Sequence, residues 1–365
     1  MVNHDRVALF VPGLFGGGAE RMMIHIANRL SEDYTVDFIV NTVEGEYADQ
    51  LRDGITVHEL QAPYLFAAVG PLARYLWKQQ PSTLLSTMDS ANLVSIWAKS
   101  LARSDATLAI RIPNTMSQRT ADYETLRYKL IPRLARLFYP LADEIIAISE
   151  GVAVDLAEIT GLPPEELSVV YNPVVTDELY DLAAEPAPHP WLAEDIPVIL
   201  GAGRLVDQKD FDTLIRAHAR LSERRAVRLL IIGKGENEDS LRRLAGELGT
   251  EHSVSFPGFA SNPYAYMAHA DVFAMSSAWE GFGNVLVEAM ACETPVVATD
   301  CESGPAEILE DGTYGPLVPV GDADRLAGAL AYLLENPTTD QQLAHRAEDF
   351  TLDSIIPQYR RVLGL

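Results

Sequence analysis

Short runs of β-branched and aliphatic residues recur along the chain, each followed by a longer stretch whose apolar positions fall three and four apart. Such alternation predicts parallel α/β units, because strands covered on both faces read as continuous apolar runs. The first half yields strands near RVALFV (6–11), TVDFIV (35–40), ITVHEL (55–60), TLLST (83–87), TLAIR (107–111), EIIAIS (144–149) and LSVVY (167–171). A second series follows with VILGAG (198–203), RLLIIG (228–233), VSF (254–256), DVFAM (271–275), PVVAT (295–299) and GPLVPV (315–320). Between them, after Asn172-Pro173, the Pro- and acid-rich stretch LAAEPAPHPWLAEDIP (182–197) has the composition of a linker. Two Rossmann-like domains are expected, each with its own core, in a chain of 365 residues.

Charge narrows the partners. With 28 Lys and Arg against 52 Asp and Glu, the net charge of −24 excludes a phosphate-tracking nucleic-acid groove. No apolar run reaches the ~18 residues of a membrane span, the opening residues carry no basic leader, and a cytoplasmic location is expected. Cys292 and Cys301 lie in or beside apolar stretches without metal-ligand spacing, and read as reduced, buried thiols.

Open parallel sheets bind ligands beyond the carboxyl ends of their strands, so the turns there are the candidates. In PGLFGGGAERMM a glycine-rich turn precedes a helix, an arrangement that lets a ligand approach backbone amides. A dinucleotide fingerprint does not fit, since Arg21 stands where its third glycine belongs. GAGRLVDQKD (201–210) ends a strand at Gly203 and then supplies Arg204 and Lys209, two cations able to neutralise a diphosphate without a metal. Asp210 and Asp212 imitate a metal motif but sit at a helix start, where Asp caps. In SSAWEGFGNVLVEAMA, Gly281, Phe282 and Gly283 form the turn and a helix begins at Asn284, with Glu280 before the turn and Glu288 about one helical turn beyond it. One carboxylate on each side of a phosphate seat suits a nucleotide sugar.

GGAER, YNP, GRLVDQK, GFGNVLVEAMACETPVVATD, SGPAEIL and GPLVPVGD together resemble glycosyltransferase family 4 over nearly the whole chain. The resemblance implies a GT-B fold, with two Rossmann-like doubly wound domains facing across a cleft, and a retaining transfer from a nucleotide sugar, expected to be a UDP-sugar. It implies an acceptor domain over 1–175, completed by a C-terminal crossover helix (350–365), and a donor domain over 176–349. Glu280 and Glu288 are then the ends of an E-x7-E motif, the first on the donor sugar's hydroxyls and the second on the ribose. Asn284 and Val285 offer amides to the diphosphate, Arg204 and Lys209 clamp it, Gly233, Gly258 and Phe259 border the base, and Gly17 and Gly18 close over the phosphates. The leaving diphosphate itself accepts the acceptor's proton, so catalysis rests on stabilising its charge through Arg204, Lys209 and the helix amides. No resident metal or cofactor is expected.

Relatives carry an E-H-N-T-like segment after the fifth strand, whereas this chain reads RIPNT with Pro113 at the histidine's place. Arg111, Asn114, Asp89 and Asn92, at strand ends or in following loops, are the acceptor candidates instead. From Arg111 to Arg136 six basic residues face two acidic ones, and apolar positions recur at helical spacing; this window suits an anionic membrane or a polyprenyl diphosphate, or equally a packed helix with a solvated basic face. The leading acceptor is a lipid-linked or cell-surface glycan, met in peripheral contact with the inner membrane face. The alternatives are transfer to a small soluble acceptor and, from another class, a non-catalytic nucleotide-sugar sensor.

Overall fold

The computed structural model describes residues 3–14, 16–43, 47–118, 126–336 and 340–365, without the side chains of 3–5, 48, 126–129, 340 and 341. The chain divides into two compact units: the residues up to Pro173 with Leu352–Leu365, and Val174–Thr351.

The first unit holds β1 (Asn3–Val11), β2 (Thr35–Val40), β3 (Thr56–Glu59), β4 (Pro81–Thr87), β5 (Thr107–Ile112), β6 (Glu144–Ala147) and β7 (Leu167–Val169). They line up in the order β3-β2-β1-β4-β5-β6-β7 with every neighbour pair parallel. Order reverses beside β1, as it does in doubly wound sheets. From Val7 to Val11 β1 is completely buried, because helices cover both faces of the sheet. The C-terminal helix Leu352–Leu363 belongs to this unit and lays Ile355, Ile356, Tyr359 and Leu363 into its core. Each such side chain contributes about 1.5–3 kcal/mol relative to exposure.

The second unit holds β8 (Val198–Ala202), β9 (Arg228–Ile232), β10 (Val254–Gly258), β11 (Val272–Met275), β12 (Val296–Thr299) and β13 (Leu317–Val318). Its order is β10-β9-β8-β11-β12-β13, again parallel throughout. All five residues of β8 are buried, and the helices Phe211–Ser222 and Ala323–Glu335 set Leu214, Leu221, Leu326 and Leu330 against that sheet's core.

The stretch 182–197 is no free linker: it lies inside the second unit. The Arg228 guanidinium sits 4.5 Å over the Trp191 ring, and Asn262 Nδ2 donates to the Leu182 carbonyl at 2.9 Å. These two contacts hold Pro- and acid-rich backbone on the surface of a sheet unit.

Candidate active site

Three glycines align where β8, β9 and β10 end. Gly203 N donates to the Ile232 carbonyl at 3.0 Å, and Gly233 N to the Gly258 carbonyl at 2.8 Å. Gly233 has φ +136°, and a Cβ there would lie 1.9 Å from the Gly203 carbonyl oxygen, so no side chain fits between these strand ends. Beyond Gly258, Phe259 is 53% exposed, with Lys234 Nζ 5.8 Å from its ring centre.

After Gly203 the chain exposes Arg204, which makes no ion pair among the described residues. Asp207–Lys209 then forms a single 3-10 turn. Asp210 follows as the cap of Phe211–Ser222: its carboxylate accepts from Thr213 N at 3.3 Å and Thr213 Oγ1 at 2.7 Å. Burial raises the Asp210 carboxyl above its usual range, against the lowering effect of those Thr213 bonds. No group of three or more His, Cys, Asp and Glu side chains among the described residues is placed to hold a metal ion.

β8 and β11 are neighbours, which brings the second candidate loop against the first. Lys209 Nζ donates to Glu280 Oε1, and Ser277 Oγ donates to the same oxygen at 2.7 Å. Ser276 Oγ donates to the Lys209 carbonyl at 2.8 Å, Ala278 N to the Gln208 carbonyl at 2.8 Å, and Gln208 Nε2 to the Trp279 carbonyl at 3.0 Å. The two loops are thus stitched together by backbone and side chain. Sequence reasoning assigned Lys209 and Glu280 to different parts of a ligand and missed their pairing. It also missed Ser276 and Ser277, because a serine pair in a loop carries no signal of its own.

Gly281, Phe282 and Gly283 are buried. Gly283, at φ +104°, starts the helix Asn284–Ala291 without a side-chain cap. Asn284 and Val285, half-buried, open its first turn, where backbone amides carry the positive end of the helix dipole. Glu288 is only 1% exposed, which rules out an ordinary helix-surface acid. Burial, then the charges of Glu288 and Glu293, push the Cys292 thiol up to about 12; burial and the charge of Glu280 do the same for Cys301. Both cysteines are free and stay protonated, neutral neighbours of the two carboxylates.

The first-unit candidates fare unevenly. Gly17 is the N-cap of the helix Gly18–Leu30 that follows β1. Arg111 is not an acceptor contact: it is 0% exposed and donates to Tyr359 Oη and Thr87 Oγ1, each at 3.1 Å, and to Asn172 Oδ1. Burial takes it out of reach of any acceptor and makes it a tie between β5, the C-terminal helix and the end of the unit. Asn92 is likewise 0% exposed, accepting from Ser86 Oγ and donating to the Arg111 carbonyl. Asp89, 6% exposed, accepts from Tyr139 Oη at 3.4 Å. Asn114 is half-buried and its Oδ1 accepts from Thr115 N at 2.9 Å. Of the basic window, Arg119, Asp122, Tyr123 and Glu124, with the side chains of Leu126, Arg127 and Lys129, lie outside the described residues.

Residues 188–350 match the family model for glycosyl transferases group 1, and residues 16–178 match that for Glycosyltransferase Family 4. The chain belongs to glycosyltransferase family 4. It is 29% identical over 357 residues, 94% of each chain, to the N-acetylgalactosamine-N,N'-diacetylbacillosaminyl-diphospho-undecaprenol 4-alpha-N-acetylgalactosaminyltransferase of Campylobacter jejuni. It is 33% identical over 276 residues to a glycosyltransferase of Methanocaldococcus jannaschii, covering 66% of this chain and 68% of that one. Among solved structures, Anabaena HepE in complex with UDP-glucose matches 99% of this chain and 100% of its own at TM-score 0.84 and 23% identity. The glycosyltransferase WaaG matches 98% and 99% at TM-score 0.72 and 17% identity. These likenesses establish the GT-B fold, and family membership makes the protein a glycosyltransferase.

Proposed function

We propose that this glycosyltransferase moves a hexosyl or N-acetylhexosaminyl group from a UDP-sugar to a lipid-linked or cell-surface glycan, with retention and without a metal. The observation that carries this reading is the meeting of Lys209 and Glu280 beside the Gly281–Gly283 turn, a cation and a carboxylate at the seat expected for a diphosphate and its sugar. Arg204, exposed and without an ion partner among the described residues, is available to a ligand phosphate. In this reading Arg204, Lys209 and the amides of Asn284 and Val285 stabilise charge developing on the leaving diphosphate, which takes the acceptor's proton. Attack on the face of departure then preserves the anomeric configuration. Gly233, Gly258 and Phe259 border the base, and Glu288 binds the ribose.

Two neighbours support the donor and acceptor classes: HepE is described with UDP-glucose, and the Campylobacter relative is named for a diphospho-undecaprenol acceptor. Contact with an anionic membrane is supported by the helix Leu126–Phe138, on which Leu137 is 65% and Leu130 40% exposed beside exposed Arg133 and Arg136. No described helix is long and apolar enough to cross a membrane. The test is transfer from a panel of nucleotide sugars, in EDTA, to polyprenyl-diphosphate-linked and small soluble acceptors, with the product's anomeric configuration read by NMR. An inverted anomer, a requirement for metal, or transfer to soluble acceptors alone overturns the corresponding part.

A further inference from the structure

Glu280 is held on one oxygen only. Its Oε1 accepts from both Lys209 Nζ and Ser277 Oγ, whereas Oε2 accepts from none of the described residues and is not among the atoms sealed from solvent. The side chain as a whole is 8% exposed, so that opening is narrow. A carboxylate with one oxygen committed presents the other, and a donor hydroxyl arriving there would meet Oε2.

Of the two groups on Oε1, the lysine is the less dependable. Its ammonium rides on a flexible four-carbon stem and is the charge a diphosphate would draw on. Ser277 has a short stem and is itself fixed: it is 1% exposed, and its carbonyl accepts from Oγ1 of Thr299, a fully buried residue of β12, at 2.5 Å. We propose that Ser277 is a positioning residue, holding Glu280 Oε1 so that Oε2 stays aimed at the donor sugar when Lys209 turns to the diphosphate. Ser276 serves the other side of the pair by fixing the backbone of Lys209. The inference rests on the Gly281–Gly283 turn being the donor seat.

The test uses the full chain with its best nucleotide-sugar donor, and compares Ser277→Ala, Ser277→Thr, Glu280→Ala and the double variant Ser277→Ala/Glu280→Ala. Ser277→Ala is expected to lower kcat about 10-fold, the scale of one charge-assisted hydrogen bond, while the Kd for free UDP stays within about twofold. Ser277→Thr, which keeps a hydroxyl, restores most of the turnover, and the double variant is no slower than Glu280→Ala alone. Unchanged kcat in Ser277→Ala overturns the proposal, as does a UDP affinity that falls in step with kcat or a double variant whose losses multiply. Should Ser277→Ala fail to fold, Ser277→Cys, which fills the volume and donates only weakly, carries the same comparison. Wild-type turnover in Glu280→Ala would instead overturn the donor-site reading beneath it; a silent Ser277→Ala beside an impaired Glu280→Ala overturns this inference alone.

Discussion

Replacing Lys209 by methionine tests whether its pair with Glu280 acts as a structural unit as well as a ligand clamp. The two side chains are 15% and 8% exposed, between the surface case, where a pair is worth about 0–1 kcal/mol, and full burial, where removing one partner costs about 3–5 kcal/mol. Ser277 remains on Glu280 Oε1 after the substitution and compensates part of the stranded charge. Lys209→Met should therefore cost about 2–3 kcal/mol, of which adding Glu280→Gln recovers at least half, since the double variant leaves no unpaired charge. The assay is urea denaturation of the full chain followed by tryptophan fluorescence, with Trp191 and Trp279 reporting on the second unit. Turnover should behave differently: both single variants and the double should fall by about 10²-fold or more, because loss of a preorganised charge is not repaired by neutralising its partner. A double variant whose destabilisation equals the sum of the singles would refute the coupling, and one that regains activity with stability would refute the clamp.

The remaining expectations concern single elements. Glu288→Ala should mainly raise donor KM, whereas Glu280→Ala should lower kcat more than it weakens free UDP; calorimetry with UDP and steady-state kinetics decide, and the opposite pattern reverses the orientation of the ligand across the turn. Deleting Leu352–Leu365 removes Ile355, Ile356, Tyr359 and Leu363 from the first core and one partner from the buried Arg111 guanidinium, so the truncated chain should lose a cooperative first-unit transition in calorimetry. His218 is fully buried, and burial lowers its imidazole to about 4. The unfolded chain then takes up the proton first as pH falls below 6.5, costing about 2 kcal/mol of stability by pH 5 and about 3 kcal/mol by pH 4, below which the loss levels off; a His218→Leu variant with the wild-type dependence of Tm on pH would exclude this.

Most of the architecture is legible in the chain because a parallel sheet covered on both faces demands continuous apolar runs, and VILGA or RLLII meets that demand without ambiguity. The reading overshoots at two sheet edges, where β7 stops at Val169 and β13 spans only Leu317–Val318, since a strand paired on one side can lose its ladder before its sequence loses apolar character; it also overshoots at the interior β6, which ends at Ala147. The linker misreading has a different cause. Proline and acid are as much the composition of a surface loop as of a free connection, and what decides is a contact such as Trp191 under Arg228, from a strand far along the chain.

Polar residues at strand ends resist sequence reading for a related reason: burial demands partners, and the partners are set by strand order. Arg111 reads as a ligand contact until Tyr359, 248 positions away, accepts from its Nε and seals it inside the first unit. Lys209 and Glu280 are 71 positions apart and meet only because β8 lies beside β11, an adjacency that no local pattern encodes. The same rule separates the two cases chemically. Arg111 spends an N–H of each of its three nitrogens on a neutral oxygen inside the core, and at 0% exposure it offers a ligand no access to the rest. Glu280 keeps one oxygen uncommitted and open, in the loop after β11 and just before the Gly281–Gly283 turn and a helix start. A buried polar group that is fully satisfied is structure. One that is held firmly on one side and left open on the other is where binding energy has somewhere to act.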